Sequence, residues 1–245
     1  MVYTENDRIK ASTKKEFDDY KLEAFGSDEE FYSYSLIVNS EIEKLAKNSS
    51  CVYDYWKHEN NGKNKEESYY GAREIERDSN RTNAIHLVYK LYLLGFGIRK
   101  KSSPDTTQEQ INSAPVLLKQ LKELLTDKNK LDNLAYIEHE RWNAFYRGEG
   151  WCGIPHKNWN TFYKKYNSQK YHLLKLHACI CPYDKLEEAE KIFKLETEEK
   201  ELINNDFRAY DYAYINYLTK TLGLEKDDSS EINVSGVEYI LVKLR

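Results

Sequence analysis

The chain is poor in the residues that staple or interrupt proteins, with 4 Cys, 4 Pro, 10 Gly and 1 Met in 245 positions. The cysteines, Cys51, Cys152, Cys179 and Cys181, show no spaced disulfide framework, which fits free thiols in a reducing compartment. No window holds the roughly 18 uninterrupted apolar residues of a membrane span. The most apolar run, residues 85–98, is broken by His86 and Lys90, and residues 1–8 lack the apolar segment of a signal peptide. These absences point to a soluble, cytoplasmic protein with no membrane partner. An excess of one charge is missing as well: the net charge is −4 although 32% of residues are charged. Binding of nucleic acid over the whole surface is therefore not expected, and any anion site must be local. The 21 tyrosines are the conspicuous surplus, but alone they point to no chemistry.

At this length the chain holds one large domain or two small ones, enough for a sizeable core. Residues 1–65 read as an N-terminal helical arm, with Ser12 or Thr13 capping a short helix that Gly26 stops. Apolar positions from Phe31 to Ala46 predict a second helix, with Asn48-Ser49-Ser50 as its break. Cys51 to Trp56 is a short aromatic segment, and the stretch from Asn60 to Lys65 is a loop. Residues 66–103 form a helical segment ending at Gly95, and the stretch from Lys100 to Thr107 is the best internal boundary. In the following unit, residues 104–225, a helix runs from about Gln108 to Leu125, with Pro115 implying a kink or a later start. Asp132 or Asn133 caps the next helix. The stretch from Pro155 to Tyr171 reads as an inserted polar and aromatic loop. Residues 172–181 read as short extended structure, and helices follow near Leu186 to Leu195 and Phe207 to Leu222. Residues 226–245 end in a strand or tail.

Two constellations carry chemistry. His139, Trp142 and Tyr146 share one helical face at i, i+3 and i+7, with Arg147 beside them and Gly150 ending the helix. Upstream, Arg73, Arg77, Asn80 and Arg81 form a stripe if that segment is helical, with His86 following. Guanidiniums so arranged suit phosphate or carboxylate, since each offers a planar fork of donors. The competing expectation is that Glu74, Glu76 and Asp78 pair with them on a solvated face. The sequence His139-Glu140-Arg141-Trp142-Asn143 starts like a zinc-protease helix, but the second His falls on Asn143, and no metal or other cofactor is expected. Gly95-Phe96-Gly97-Ile98 also echoes Gly150-Trp151-Cys152-Gly153-Ile154, each closing a long helix.

The series Leu134-Ala135-x-x-x-His139-x-x-Trp142, then Gly150-Trp151, then His177-x-Cys179-x-x-Pro182-Tyr183-x-x-Leu186-x-Glu188 resembles the RyR domain. This is the repeat module of ryanodine receptors, which also occurs in bacterial proteins. The match covers roughly residues 130–223, and Arg77-x-Ser79-Asn80-Arg81-x-x-Ala84-x-His86 resembles the segment that precedes the repeat in bacterial members. Three positions depart from the family: Tyr146 stands where a basic residue is common, Ala178 replaces the usual Pro, and the stretch between Gly153 and His177 is long. The resemblance implies a mainly α fold, a helical bundle with short β segments in two pseudo-symmetric halves. It also implies a ligand-sensing module rather than an enzyme. A nucleotide or nucleotide-derived messenger of bacterial signalling or defence would stack on Trp142, in a cleft lined by Arg73, Arg77, Asn80, Arg81, His86, His139, Tyr146 and Arg147. The alternatives are an interaction scaffold that binds a protein partner or a second copy, and a nucleotide-processing enzyme.

Overall fold

The computed structural model describes residues 2–3, 24–25, 41–58, 69–197, 207–224 and 239–244. The expected helix near residues 13–22, the loop at residues 60–65 and most of the C-terminal tail lie outside these. The chain divides into compact units of residues 1–44 and 45–245. In the first unit, β1 (Val2–Tyr3) pairs in parallel with β2 (Ala24–Phe25). Helix α1 (Glu41–His58) starts in that unit and continues into the second.

The second unit is mainly helical. Its elements are α2 (Glu74–Leu93), β3 (Phe96–Lys100), α3 (Gln108–Leu124), α4 (Lys128–Gly148), β4 (Cys152–Gly153), α5 (Trp159–Tyr166), β5 (Lys170–Tyr171), β6 (Leu176–His177), α6 (Leu186–Glu196), α7 (Ala209–Asn216), α8 (Leu218–Thr221) and β7 (Tyr239–Lys243). Strand β7 is the antiparallel partner of β3, and β6 pairs in parallel with β4 and antiparallel with β5.

Local chemistry explains most of the boundaries. The Thr107 hydroxyl accepts the Gln110 N–H at 3.2 Å while the Gln110 side chain accepts the Thr107 N–H at 3.0 Å, a reciprocal cap that starts α3. Pro115 lies inside α3, so no later start is needed. The cap of α4 is Asp127, whose carboxylate accepts the N–H groups of Asn129 and Lys130, several residues before the expected Asp132 or Asn133. Gly95 and Gly150, at φ +83° and +80°, end α2 and α4 in the left-handed region.

Two expectations fail because tertiary contacts override local sequence. Asn48-Ser49-Ser50 does not break a helix but lies buried within α1: Asn48 Nδ2 donates to the Thr221 carbonyl at 3.0 Å and Ser49 Oγ to Asn83 Oδ1 at 3.2 Å. The stretch from Pro155 to Tyr171 is not an inserted loop but holds a 3₁₀ turn (His156–Asn158), α5 and β5. In the first, polar residues that read as turn formers have tertiary partners that the local sequence does not show; in the second, Trp159, Phe162 and Tyr163 bury one face of α5 in an apolar core.

Two apolar cores follow. One joins Leu45, Tyr69, Leu87, Leu91, Phe96, Leu121, Leu218, Leu222 and Leu241, and the other joins Trp159, Phe162, Tyr163, Leu186, Phe193 and Phe207. Helix α4 packs on both α2 and α7, and its buried face is largely polar: Glu138, His139, Asn143 and Tyr146 beside Leu134 and Ala135.

Candidate functional site

The polar face of α4 is built from two charged groups in adjacent positions. The ring of His139 lies between two acceptors, with Nε2 2.8 Å from the Cys181 carbonyl and Nδ1 3.3 Å from an Asp211 carboxylate oxygen. A carbonyl only accepts, so Nε2 must carry a proton, and the carboxylate favours a second on Nδ1. Burial opposes the resulting charge, but the bonds to Asp211 and Cys181 outweigh it and push the His139 pKa up to about 10. Burial drives Asp211 up to about 6 against the pull of His139. Near neutrality the pair is an imidazolium with a carboxylate. Asn143, one turn along α4, donates to the same Cys181 carbonyl at 3.0 Å, so two side chains fasten the Cys181 turn to the helix.

Glu138, also buried, accepts from three side chains. Lys90 Nζ stands 2.5 Å away, Arg141 Nη2 2.7 Å and Asn83 Nδ2 2.9 Å. Burial would raise the carboxyl pKa, yet Arg141 and Lys90 hold it at about 2. Arg141 extends the link to α2 through the Thr82 hydroxyl at 2.7 Å and the Ser79 carbonyl at 3.3 Å. Such a group is costly to bury and costlier to leave half-made, and it links α2 to α4 through Asn83, Lys90, Thr82 and Ser79.

Beyond His139 the same face of α4 becomes an aromatic cluster. Trp142 is partly exposed and lies 4.5 Å from Tyr146 and 4.9 Å from His177 between ring centroids. Trp151 folds back from Gly150, its backbone N–H donating to the Tyr146 carbonyl at 2.9 Å, and its ring stands edge-on to Tyr146 and His172. Burial, then Lys170, His172 and His139, lower the His177 pKa to about 3, so His177 is neutral; its Nδ1 accepts the Cys179 N–H at 3.1 Å. The indole N–H of Trp151 is buried without a hydrogen-bond partner. Cations border the cluster: Arg73, just before α2, reaches the His172 ring, and Lys170 stands 3.4 Å from Glu76.

The expected site residues thus separate. His139, Trp142 and Tyr146 are contiguous, and burial first, then Glu76, pushes the Tyr146 hydroxyl up to about 12. Arg73 lies at the cluster's edge. Arg77 is engaged by Glu74, and Arg81 by Glu74 and Asp78, the solvated pairing that was the competing expectation. Asn80 is buried and accepts the Tyr214 hydroxyl at 3.2 Å. His86 lies beside Tyr89, its Nδ1 buried without a partner, and Arg147 is exposed near the end of α4. Trp151 and His177 belong to the series that runs from Leu134 to Glu188 without being expected site residues, and Asp211, Lys170 and His172 were not expected at the site either. Only Trp151, next to the helix-ending glycine, had a local signal.

Among the described residues no group of three or more His, Cys, Asp or Glu could hold a metal ion, and no helix is long and apolar enough to cross a membrane. No protein-family model, curated protein or solved structure matches the chain. Fold and site together define a mainly helical protein organised by a polar helix face that turns aromatic toward its end.

Proposed function

We propose that the chain is a ligand-sensing module of the RyR-like type, its two helix–glycine–strand units acting as pseudo-symmetric halves. An anionic, nucleotide-like ligand would stack on Trp142 and contact Arg73, Lys170 and His172. The observation that carries this is the buried indole N–H of Trp151, which lacks an acceptor beside those cations, because a buried donor is rarely left unpaired. A phosphate or carbonyl oxygen would satisfy it, and the partly exposed Trp142 offers the plane on which a base stacks. Arg73 would make the ligand contact in place of Arg77 and Arg81, which Glu74 already engages. No residue is given a catalytic role.

The test is thermal shift and calorimetry with adenine nucleotides, cyclic dinucleotides and ADP-ribose. A ligand at a hundred times its Kd raises stability by about 2.7 kcal/mol. Trp142→Ala should weaken binding by about 1–3 kcal/mol, Arg73→Ala should abolish the shift, and Arg77→Ala should leave it nearly intact. Absence of a shift with every nucleotide refutes the reading.

An interaction scaffold is the second reading, favoured by the outer face of α2. Ile85, Tyr89, Tyr92 and Leu93 are each about half exposed or more, and the one lysine or arginine between Thr82 and Leu94, Lys90, is wholly buried. An apolar stripe left exposed opposite the packed face of a helix suits a covered position. An uncharged stripe of this kind is self-complementary, which favours a second copy as its cover.

A further inference from the structure

The net charge of −4 conceals a strongly uneven distribution. Residues 150–183 contain no Asp or Glu but five lysines, Lys157, Lys164, Lys165, Lys170 and Lys175, and three histidines. From this segment β5 and β6 form a hairpin whose turn is a 3₁₀ helix, His172–Leu174, closed by Lys175 in the left-handed conformation at φ +48°. Hairpin turns are normally polar. Here the tip carries Leu173 and Leu174, 81% and 59% exposed, against a scatter of single exposed apolar residues that would need no explanation.

Cations and half-buried tyrosines collar this tip. Lys175 Nζ donates to the Glu149 carbonyl at 2.7 Å, a bond that holds the ammonium beside the turn without neutralising it. Lys165 lies over the Tyr166 ring, which stacks on Tyr171 at 4.4 Å, at the hairpin's base. Lys170, by contrast, is paired with the Glu76 carboxylate.

We infer that the β5–β6 hairpin docks on an anionic lipid surface. Leu173 and Leu174 enter the boundary of the acyl region, Tyr166 and Tyr171 lie at headgroup level, and Lys165 and Lys175 meet lipid phosphates. A nucleic acid would satisfy the lysines but leave both leucines in water, so the apolar tip is what selects a bilayer. Lys170 and His172 of this hairpin are also ligand contacts in the reading above, but the tests leave them, Trp142 and Arg73 untouched, so the two readings fail separately.

Co-sedimentation of the full chain with vesicles decides it. Vesicles of phosphatidylcholine mixed with phosphatidylglycerol should retain the protein, pure phosphatidylcholine should not, and added salt should weaken retention. The double change Leu173→Ser with Leu174→Ser should lower partitioning about tenfold or more, with circular dichroism and Tm unchanged because both side chains are exposed; Lys165→Glu with Lys175→Glu should do the same with circular dichroism unchanged and Tm slightly lowered, since Lys175 loses its bond to the Glu149 carbonyl. Leu195→Ser, on the equally exposed Leu195 of α6, should leave partitioning as it was. Failure to bind anionic vesicles, or binding that survives loss of both leucines, overturns the proposal. Retention on heparin without vesicle binding would overturn it in favour of a soluble polyanion.

Discussion

His139 donates from both ring nitrogens, and that fixes how stability depends on pH. Its pKa rises from 6.5 unfolded to about 10 folded, so the stability it contributes is full below pH 6.5 and is lost as pH climbs toward 10. Asp211, raised from 3.8 to about 6, acts with the same sign in its own, more acidic window. Glu138 has the opposite sign: lowered from 4.5 to about 2, its contribution is present above pH 4.5 and lost as pH falls toward 2. Tm measured against pH should therefore decline on both flanks, and His139→Gln should flatten the alkaline one. Glu138→Gln leaves Lys90 buried without its counter-charge and should cost about 3–5 kcal/mol in denaturant unfolding. The simultaneous replacement of Lys90, Glu138 and Arg141 by apolar residues of similar volume should cost far less.

At this scale, little of the site was legible in advance. His139, Trp142 and Tyr146 share a face by helical geometry alone, so their proximity was readable. The acceptor that charges His139 comes from Asp211 on α7, distant in sequence, and no periodicity announces it. The arginine stripe misled because spacing shows where guanidiniums align and not whether neighbouring carboxylates already engage them.

Elements were more legible where backbone chemistry is local. Gly95 and Gly150 end their helices as expected, because the left-handed conformation is a property of the glycine itself. What followed them was not readable. Gly153 lies in β4, where a Cβ would come within 2.1 Å of the Ile180 carbonyl oxygen. Gly153→Ala should force β4 off the Ile180 turn and lower stability by about 1–3 kcal/mol, as overpacking does, whereas Gly148→Ala, with open space around it, should be neutral or stabilising. Helix α1 shows the converse: Asn48 and Ser49 look like a break until Thr221 and Asn83 are brought to them. Polar residues signal an end only when nothing distant accepts their hydrogen bonds.

For the whole molecule, the mainly helical class was legible from periodicity, whereas the small net charge hides the segregation of charge along the chain. The uncharged outer stripe of α2 bears on assembly. If it meets a second copy, light scattering should report a dimer that Tyr89→Glu with Leu93→Glu converts to monomer, with no change in circular dichroism. A monomeric wild type at high concentration removes that role from α2.

The pairing of β3 with β7 ties residues 96–100 to residues 239–243. During synthesis β3 leaves the ribosome long before its partner exists, so Phe96 and Ile98 face the cell beside an open strand edge until translation reaches Lys243. Docking of that sheet, and of the apolar core that includes Leu241, is therefore a late event in the life of each new molecule. The interval before it is when the open strand edge is exposed to wrong pairing.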